Sequence, residues 1–158
     1  MTKAPSRLLI FTCFYALCFV VQTGGAYFTQ FSVTTWYAGL DKSPLTPPGM
    51  YFGIVWTTLY LLMALAAMRV YHKTQTLRSH ALRWWLIQLI LGFLWSVMFF
   101  GNQAVLSAFQ IILANLVAIG VMLVFFRRID RLAALMLAPL FLWVSFASYL
   151  NYFILTHN

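Results

Sequence analysis

Tryptophan side chains inside apolar segments are the residues of this sequence best suited to form a binding site. Trp56 and Tyr60 are four residues apart, and Trp143, Ala147 and Asn151 follow one another at the same interval. Residues four apart lie on one face of a helix, so each series predicts an aromatic wall on one side of its helix. Such walls suit a flat, apolar ligand. The spacing leaves open the alternative that these rings only pack a bundle or face lipid.

Acidic, histidine and cysteine side chains are few, and their positions argue against several kinds of chemistry. The acids and histidines, all in connectors or at the ends of apolar runs, are Asp41, Asp130, His72, His80 and His157. With no carboxylate inside an apolar run, a transmembrane proton or sodium relay has no obvious carrier. Cys13 and Cys18 are five residues apart and point to different helix faces. Hydrolytic and metal-dependent catalysis are therefore not expected, and no metal site is predicted.

Five apolar runs must position the aromatic residues. Of the 158 residues, 63% are hydrophobic and 8% are charged, which is more apolar surface than a soluble domain of this size can bury. The runs cover about residues 8–26, 49–68, 84–101, 104–126 and 132–156, each near the roughly 20 residues that cross a bilayer. They predict one all-α integral membrane domain, residues 1–158, built as a five-helix bundle. The first run resembles a cleavable signal segment, but its length favours a retained helix.

Basic residues are distributed unevenly over the connectors. Of the ten Lys and Arg residues, Lys42 alone falls on the side of the long first connector, about residues 27–48. Cytoplasmic loops carry the excess of Lys and Arg, so we expect a bacterial-type inner membrane with the N-terminus in the cytoplasm and the C-terminus outside. The same distribution argues against nucleic acid as a partner, because the charges do not form one soluble face.

Two further features have structural interpretations. Trp84 and Trp85 follow Arg83 at a helix end, which is typical of an interfacial aromatic belt. Gly92 and Ser96 form a pair of small residues four apart that permits close helix approach. This pair serves either packing within one chain or a homodimer, and the sequence does not decide between the two.

Three segments of the chain resemble the TspO/MBR family, the translocator or tryptophan-rich sensory proteins, also called peripheral benzodiazepine receptors. The segment "WYAGLDKSPLTPPGMYFGIVWTTLYLLMALAAMRV" is similar to the family's first loop and second helix. The segments "LWSVMFFG" and "APLFLWVSFASYLNYFILTHN" are similar to its third and fifth helices. The resemblance implies a five-helix bundle, often dimeric, that binds tetrapyrroles such as protoporphyrin and, in some members, sterols and benzodiazepine-type drugs. It implies no required cofactor, since the porphyrin is the ligand.

The resemblance also implies that the first connector is a lid over the pocket. Together with the residues chosen by spacing, it defines a set of candidate ligand contacts. These are Trp36, Tyr37, Pro47, Trp56, Tyr60, Trp95, Phe99, Trp143, Phe146, Ala147 and Asn151. In some bacterial members, tryptophans that match Trp56 and Trp143 are implicated in light-dependent porphyrin breakdown. These two residues would be catalytic if the chain has that activity.

The chain departs from the family pattern at three positions. Leu45 stands where many relatives have Trp, so one stacking wall is expected to be weaker. Gly92 stands where an Asn is often found, which removes a polar contact. Thr156 stands where the sterol-recognition pattern has a basic residue, and strong sterol binding is therefore not expected, although such patterns are weak.

Three hypotheses for function follow. The leading one is a membrane protein that binds porphyrins for transport or for regulation of tetrapyrrole levels. The second is a light-dependent porphyrin-degrading enzyme, and the third is a ligand-responsive, stress-sensing scaffold. Lys42 is a candidate partner for a porphyrin propionate, although a solvated lysine is the commoner case.

Overall fold

Five long helices make up the computed structural model, which describes residues 6–158. They are α1 (Arg7–Ser32), α2 (Gly49–Thr74), α3 (His80–Ser96), α4 (Val105–Ile129) and α5 (Arg131–His157). Helix α3 continues into a π-helical turn, Val97–Gly101, and a short 3-10 helix, Tyr37–Gly39, lies in the first connector. Each long helix, with α3 taken together with its π-helical turn, is long and apolar enough to cross a membrane, and residues 6–158 contain no strand. The predicted five-helix membrane architecture is confirmed.

Side-chain caps start three of the helices. The hydroxyl of Ser6 accepts the Leu9 N–H at the start of α1, and the hydroxyl of Ser79 accepts the Leu82 N–H at the start of α3. At the start of α5, a carboxylate oxygen of Asp130 accepts the N–H groups of Leu132 and Ala133. These bonds satisfy backbone donors that have no partner inside the helix.

The helices form a closed ring of neighbours. Helix α1 packs on α2 and α3, α4 packs on α3 and α5, and α5 packs on α2. The first connector, at one end of the ring, joins α1 to α2. The tight junction between α4 and α5 lies at the other end, beside the C-terminal part of α2.

Trp85 belongs to the core of the bundle. Its side chain is only 2% exposed, and its indole N–H donates to the Met63 carbonyl at 3.1 Å. Phe14 packs edge-on against the indole ring, with centroids 5.2 Å apart. The prediction of an interfacial belt is therefore wrong for Trp85, whereas Trp84 is half-buried.

Helix α1 is longer than predicted, and this shortens the first connector to residues 33–48. Gly24 and Gly25 do not end the helix but lie where α3 packs closely against it. A Cβ at Gly24 would come within 2.8 Å of the Phe93 ring, and one at Gly25 within 3.0 Å of the Ser96 hydroxyl. Past the glycines, the Ser32 hydroxyl donates to the Phe100 carbonyl, which ties the last turn of α1 to the π-helical turn.

The remaining helix ends differ from the predicted spans by up to about two turns. Helix α2 continues to Thr74 instead of residue 68, and α3 begins at His80 instead of residue 84. Apolar runs mark the part of a helix that lies in hydrocarbon, and helices continue beyond it where polar side chains reach water. Helices α4 and α5 differ from their predicted bounds by three residues or fewer.

The small residues of α3 are used within the chain. Ser96 lies against Gly25 of α1, and the Asn115 amide lies 3.6 Å from the position that a Gly92 Cβ would occupy. Both residues therefore serve close packing between helices of one copy. The homodimer stays a prediction.

Candidate ligand-binding site

Trp56 and Tyr60 form the predicted aromatic wall on α2. Their ring centroids are 5.6 Å apart, with the planes inclined by 30°. Both rings border a cavity of about 10 Å³. The residues lining it are Trp56, Tyr60, Met63, Gln88, Leu89, Gly92, Asn115 and Leu140. A cavity of this size has room for about one water molecule, whereas small-molecule sites usually enclose about 300–1,000 Å³. A tetrapyrrole can enter here only if the surrounding elements separate.

Two buried amides face the same cavity. Asn115 is 4% exposed, and its Oδ1 atom has no hydrogen-bond partner. Gln88 is 3% exposed and uses its amide N–H to bind the Trp85 carbonyl at 3.1 Å. An unpaired acceptor away from water is costly, so Asn115 is the group of this cavity that is ready to accept a hydrogen bond.

Neither amide was among the predicted site residues. They stand inside apolar runs, and a polar residue within a membrane span is by default a candidate for a functional role. That signal was available for Gln88 and Asn115. In the structure, the Asn115 amide of α4 lies 3.6 Å from the position that a Gly92 Cβ on α3 would occupy.

Trp143 forms the predicted wall on α5. Phe52, from the first turn of α2, packs edge-on against its ring at a centroid distance of 5.4 Å. Phe146 also contacts the Trp143 ring, at a centroid distance of 5.8 Å. The indole N–H of Trp143 is buried and has no hydrogen-bond partner. Ala147, one turn further, is buried.

Trp95 and Asn151 join α3 to α5. The Trp95 indole N–H donates to Oδ1 of Asn151 at 2.9 Å, and the Asn151 amide donates to the Val105 carbonyl at 3.3 Å. Phe99, in the π-helical turn, stacks on Trp95 with centroids 5.2 Å apart. Helical π turns often occur at functional sites.

The first connector packs on that stack. Trp36 and Tyr37 contact Phe99 edge-on, at centroid distances of 5.5 and 6.1 Å. Pro47 is half-buried, two residues before α2 begins. The Lys42 ammonium donates to the carbonyls of Tyr37, Ala38 and Leu40, at 3.0, 3.1 and 2.7 Å respectively. It closes the connector on itself instead of projecting freely into solvent.

The candidate residues therefore fall into two groups instead of lining one open cleft. One group lies at the connector and consists of Trp36 and Tyr37 of the connector itself with Trp95, Phe99 and Asn151 beneath it. The other group is the aromatic walls of α2 and α5, which pack against the main core. Phe52, one turn before Trp56 on α2, contacts Trp143 of α5, whereas Trp56 and Tyr60 themselves pair with no ring of α5 among the ring pairs of residues 6–158. Trp95 contacts the clusters on both sides and connects the groups.

Asp130 defines the opposite end of the bundle. Its carboxylate is 3% exposed, and its Oδ2 atom lies 2.9 Å from Nη2 of Arg69 and 3.3 Å from Nζ of Lys73. Burial by itself raises the pKa of this carboxyl. The Ala133 N–H, Lys73 and Arg69 outweigh that effect and hold the pKa below its ordinary value.

Comparison with known proteins gives one consistent result. The sequence model described as the TspO/MBR family matches residues 14–156. The chain is 37% identical to the tryptophan-rich protein TspO of Archaeoglobus fulgidus, over 85% of this chain and 87% of the relative. It is 34% identical to the protein of the same name from Chlorobaculum tepidum, over 96% of this chain and 98% of the relative. It is 31% identical to the translocator protein of Homo sapiens, over 89% of this chain and 83% of the relative.

Proposed function

The chain belongs to the TspO/MBR family of integral membrane proteins, and from that premise we propose that it binds tetrapyrroles such as protoporphyrin within the bundle. Binding would serve transport of the tetrapyrrole or regulation of its level. The observation that carries the proposal is the cavity where the Trp56–Tyr60 pair faces the unpartnered amide oxygen of Asn115. Aromatic faces and one hydrogen-bond acceptor are what a flat, apolar ring with few polar groups requires.

Binding requires the bundle to open, because the cavity is far smaller than the ligand. Trp56 and Tyr60 would then stack on the ring, and each such contact contributes about 0.5–1.5 kcal/mol beyond burial. Asn115 would accept a hydrogen bond from an N–H or O–H group of the ligand. Displacement of the first connector would expose Phe99, which Trp36 and Tyr37 of the connector contact, and Trp95, which stacks on Phe99.

Quenching of tryptophan fluorescence by protoporphyrin tests the proposal. We expect saturable quenching of the wild-type protein in detergent. Removing one stacking wall in Trp56→Ala should weaken the affinity about tenfold, since about 1.4 kcal/mol corresponds to that factor. Trp84→Ala is the matched control, because Trp84 lies near the other end of the bundle, and its affinity should stay within about twofold of wild type.

Two results would reject this proposal. One is quenching that rises linearly with porphyrin and never saturates. The other is an equal loss of affinity in the Trp56→Ala and Trp84→Ala variants. Repeating the titration with sterols measures whether the ligand class extends beyond tetrapyrroles.

Light-dependent breakdown of the bound porphyrin is the second candidate function. It is favoured by the buried, unpartnered indole N–H of Trp143, whose ring is enclosed by Phe52 and Phe146. Illumination of the purified protein with protoporphyrin in air distinguishes the two functions. Loss of the porphyrin spectrum with new products, abolished in Trp143→Phe, identifies an enzyme. Binding without turnover identifies a carrier or a sensor.

The charge distribution supports an orientation of the bundle. We place the end that carries Arg69, Lys73 and the arginines of the α4–α5 junction in the cytoplasm of a bacterial-type inner membrane. The first connector then faces outward. Labelling of single cysteines introduced at the exposed positions Leu45 and Arg78, in intact cells with a membrane-impermeant thiol reagent, tests this orientation. Labelling at Arg78 in place of Leu45 would reverse it.

A further inference from the structure

A groove separates the end of α4 from the start of α5. Its volume is about 420 Å³. It is lined by Leu123, Val124, Arg127, Arg131, Ala134 and Leu135. Arg127 lies in the last turn of α4, and Arg131 is the first residue of α5. The two guanidinium groups therefore border the groove at the level where both spans leave the apolar layer.

The two arginines at this groove keep their positive charge unpaired. Asp130 stands between the two helices, but its carboxylate is turned inward to Arg69 and Lys73. In the described part of the chain, residues 6–158, no carboxylate lies within 4.0 Å of a side-chain nitrogen of Arg127 or Arg131. Both residues are exposed. The groove is thus an anion-attracting site whose charge the protein itself does not neutralise.

The floor of the groove is apolar. Val124 precedes Arg127 by about one turn, Leu135 follows Arg131 by about one turn, and their side chains are 51% and 67% exposed. Leu123 and Ala134 complete this surface between the helices. A ligand that fits both parts has an anionic head at the membrane surface and a hydrocarbon tail that extends towards the bilayer centre.

We propose that this groove binds an anionic phospholipid, with the phosphate between Arg127 and Arg131 and an acyl chain against Val124 and Leu135. Guanidinium groups pair with phosphate oxygens through bidentate hydrogen bonds, which ammonium groups cannot form. Basic pockets between transmembrane helices recognise anionic head groups in this way. The site is at the opposite end of the bundle from the first connector and does not depend on tetrapyrrole binding.

Native mass spectrometry of the detergent-solubilised full chain provides the test. Phosphatidylglycerol and phosphatidylcholine with identical acyl chains are titrated separately. We expect phosphatidylglycerol to bind about 30-fold more tightly, since each of the two arginines near the surface contributes a factor of about five. In the double variant Arg127→Gln, Arg131→Gln, this preference should fall to within about twofold.

Arg128→Gln is the matched control. It removes the same charge from the same turn of α4, but the Arg128 guanidinium lies over the Phe125 ring, 5.9 Å from its centroid. Its preference for phosphatidylglycerol should equal that of the wild type. All three arginines are exposed, so the thermal unfolding midpoint of each variant without added lipid should match the wild type.

Three results would overturn the proposal. Equal binding of the two lipids removes the need for an anionic head. An equal loss in Arg128→Gln and in the double variant indicates general attraction by the basic end. Competition by glycerol phosphate at the concentration that suffices for phosphatidylglycerol indicates a phosphate site that does not use the apolar floor.

Discussion

Trp95 and Trp143 are both half-buried, but their indole nitrogens have different surroundings. The Trp95 N–H is bonded to Asn151, which uses its own amide to bind the Val105 carbonyl. The Trp143 N–H is buried without a partner. A buried donor without a partner reduces stability. Trp95 therefore holds helices together, whereas Trp143 keeps a hydrogen-bonding group free for a ligand or a water molecule.

Replacing each of these tryptophans by phenylalanine separates the two roles. Trp95→Phe removes an interhelical hydrogen bond and leaves Asn151 Oδ1 unpaired, whereas Trp143→Phe removes no hydrogen bond. The size change is the same in both. Trp95→Phe should therefore lower the free energy of unfolding more than Trp143→Phe does, by about 0.6–1.7 kcal/mol. Unfolding by sodium dodecyl sulfate in mixed micelles measures the difference, and equal losses would contradict these roles.

At the scale of elements, the start of α5 depends on one carboxylate. Asp130 caps the helix through the N–H groups of Leu132 and Ala133, and it also binds Arg69 and Lys73 of α2. It thereby fixes the α4–α5 junction to the end of a helix that is not adjacent in sequence. Loss of the charge on this buried carboxylate would leave Arg69 and Lys73 without their acidic partner.

Substitution of Asp130 separates its cap from its ion pairs. Asp130→Asn keeps a good cap but loses the ion pairs, and should cost about 1–3 kcal/mol of unfolding free energy. Asp130→Ala loses the cap as well and should cost about 1 kcal/mol more. Unfolding in mixed micelles at neutral pH measures both losses. If Asp130→Asn were as stable as the wild type, the ion pairs would contribute nothing.

The same carboxylate gives the stability a defined pH dependence. The pKa of Asp130 in the folded protein lies below its ordinary value. The carboxylate therefore contributes fully to the free energy of unfolding above about pH 4, and this contribution is lost as the pH falls through the folded pKa. Asp130→Asn should lack this acid-induced loss. An unfolding series from pH 6 to about pH 2 in both proteins measures the effect, and parallel curves would contradict it.

At the scale of the whole molecule, α5 holds the first connector closed. Asn158 accepts the Asp41 N–H at 2.8 Å and donates to the Asp41 carbonyl at 3.1 Å. The hydroxyls of Ser43 and Tyr149 are 3.2 Å apart. These contacts join the C-terminal end of α5 to the connector, whose Trp36 and Tyr37 pack on Phe99. Their strength therefore determines how often the connector leaves the stack beneath it.

Removal of these contacts should loosen the connector without unfolding the bundle. In Ser43→Ala, Asn158→Ala, amide hydrogen exchange over residues 40–46 should become at least about tenfold faster, because each lost hydrogen bond contributes about 0.5–1.5 kcal/mol. The variant loses the two Asn158–Asp41 bonds, the Ser43–Tyr149 contact and the bond from the Leu45 N–H to the Ser43 hydroxyl. Exchange in α2–α5 should not change. Thr156→Ala is the control, since its hydroxyl binds only side chains and carbonyls of α5 itself. Equal exchange in all three proteins would show that the contacts do not hold the connector.

The sequence by itself determined the environment of the protein, the number of its helices and its family. Composition and run length sufficed for this, because lipid requires long, uninterrupted, backbone-satisfied apolar helices. The side-chain spacing also predicted correctly that Trp56 and Tyr60 lie together on α2. The sequence placed the end of α1 too early, since Gly24 and Gly25 stand inside the helix, at its close contact with α3.

Only the tertiary structure decided which residues of each helix face inward. In water, an amphipathic pattern marks the buried face of a helix, but lipid is as apolar as a protein core and leaves no such pattern. Trp84 and Trp85 were therefore indistinguishable, although Trp85 is the buried one. For the same reason, only the packed helices bring Asn115 of α4 to the aromatic pair of α2. Packing also turns the Asp130 carboxylate towards Arg69 and away from Arg127 and Arg131, which are nearer in sequence.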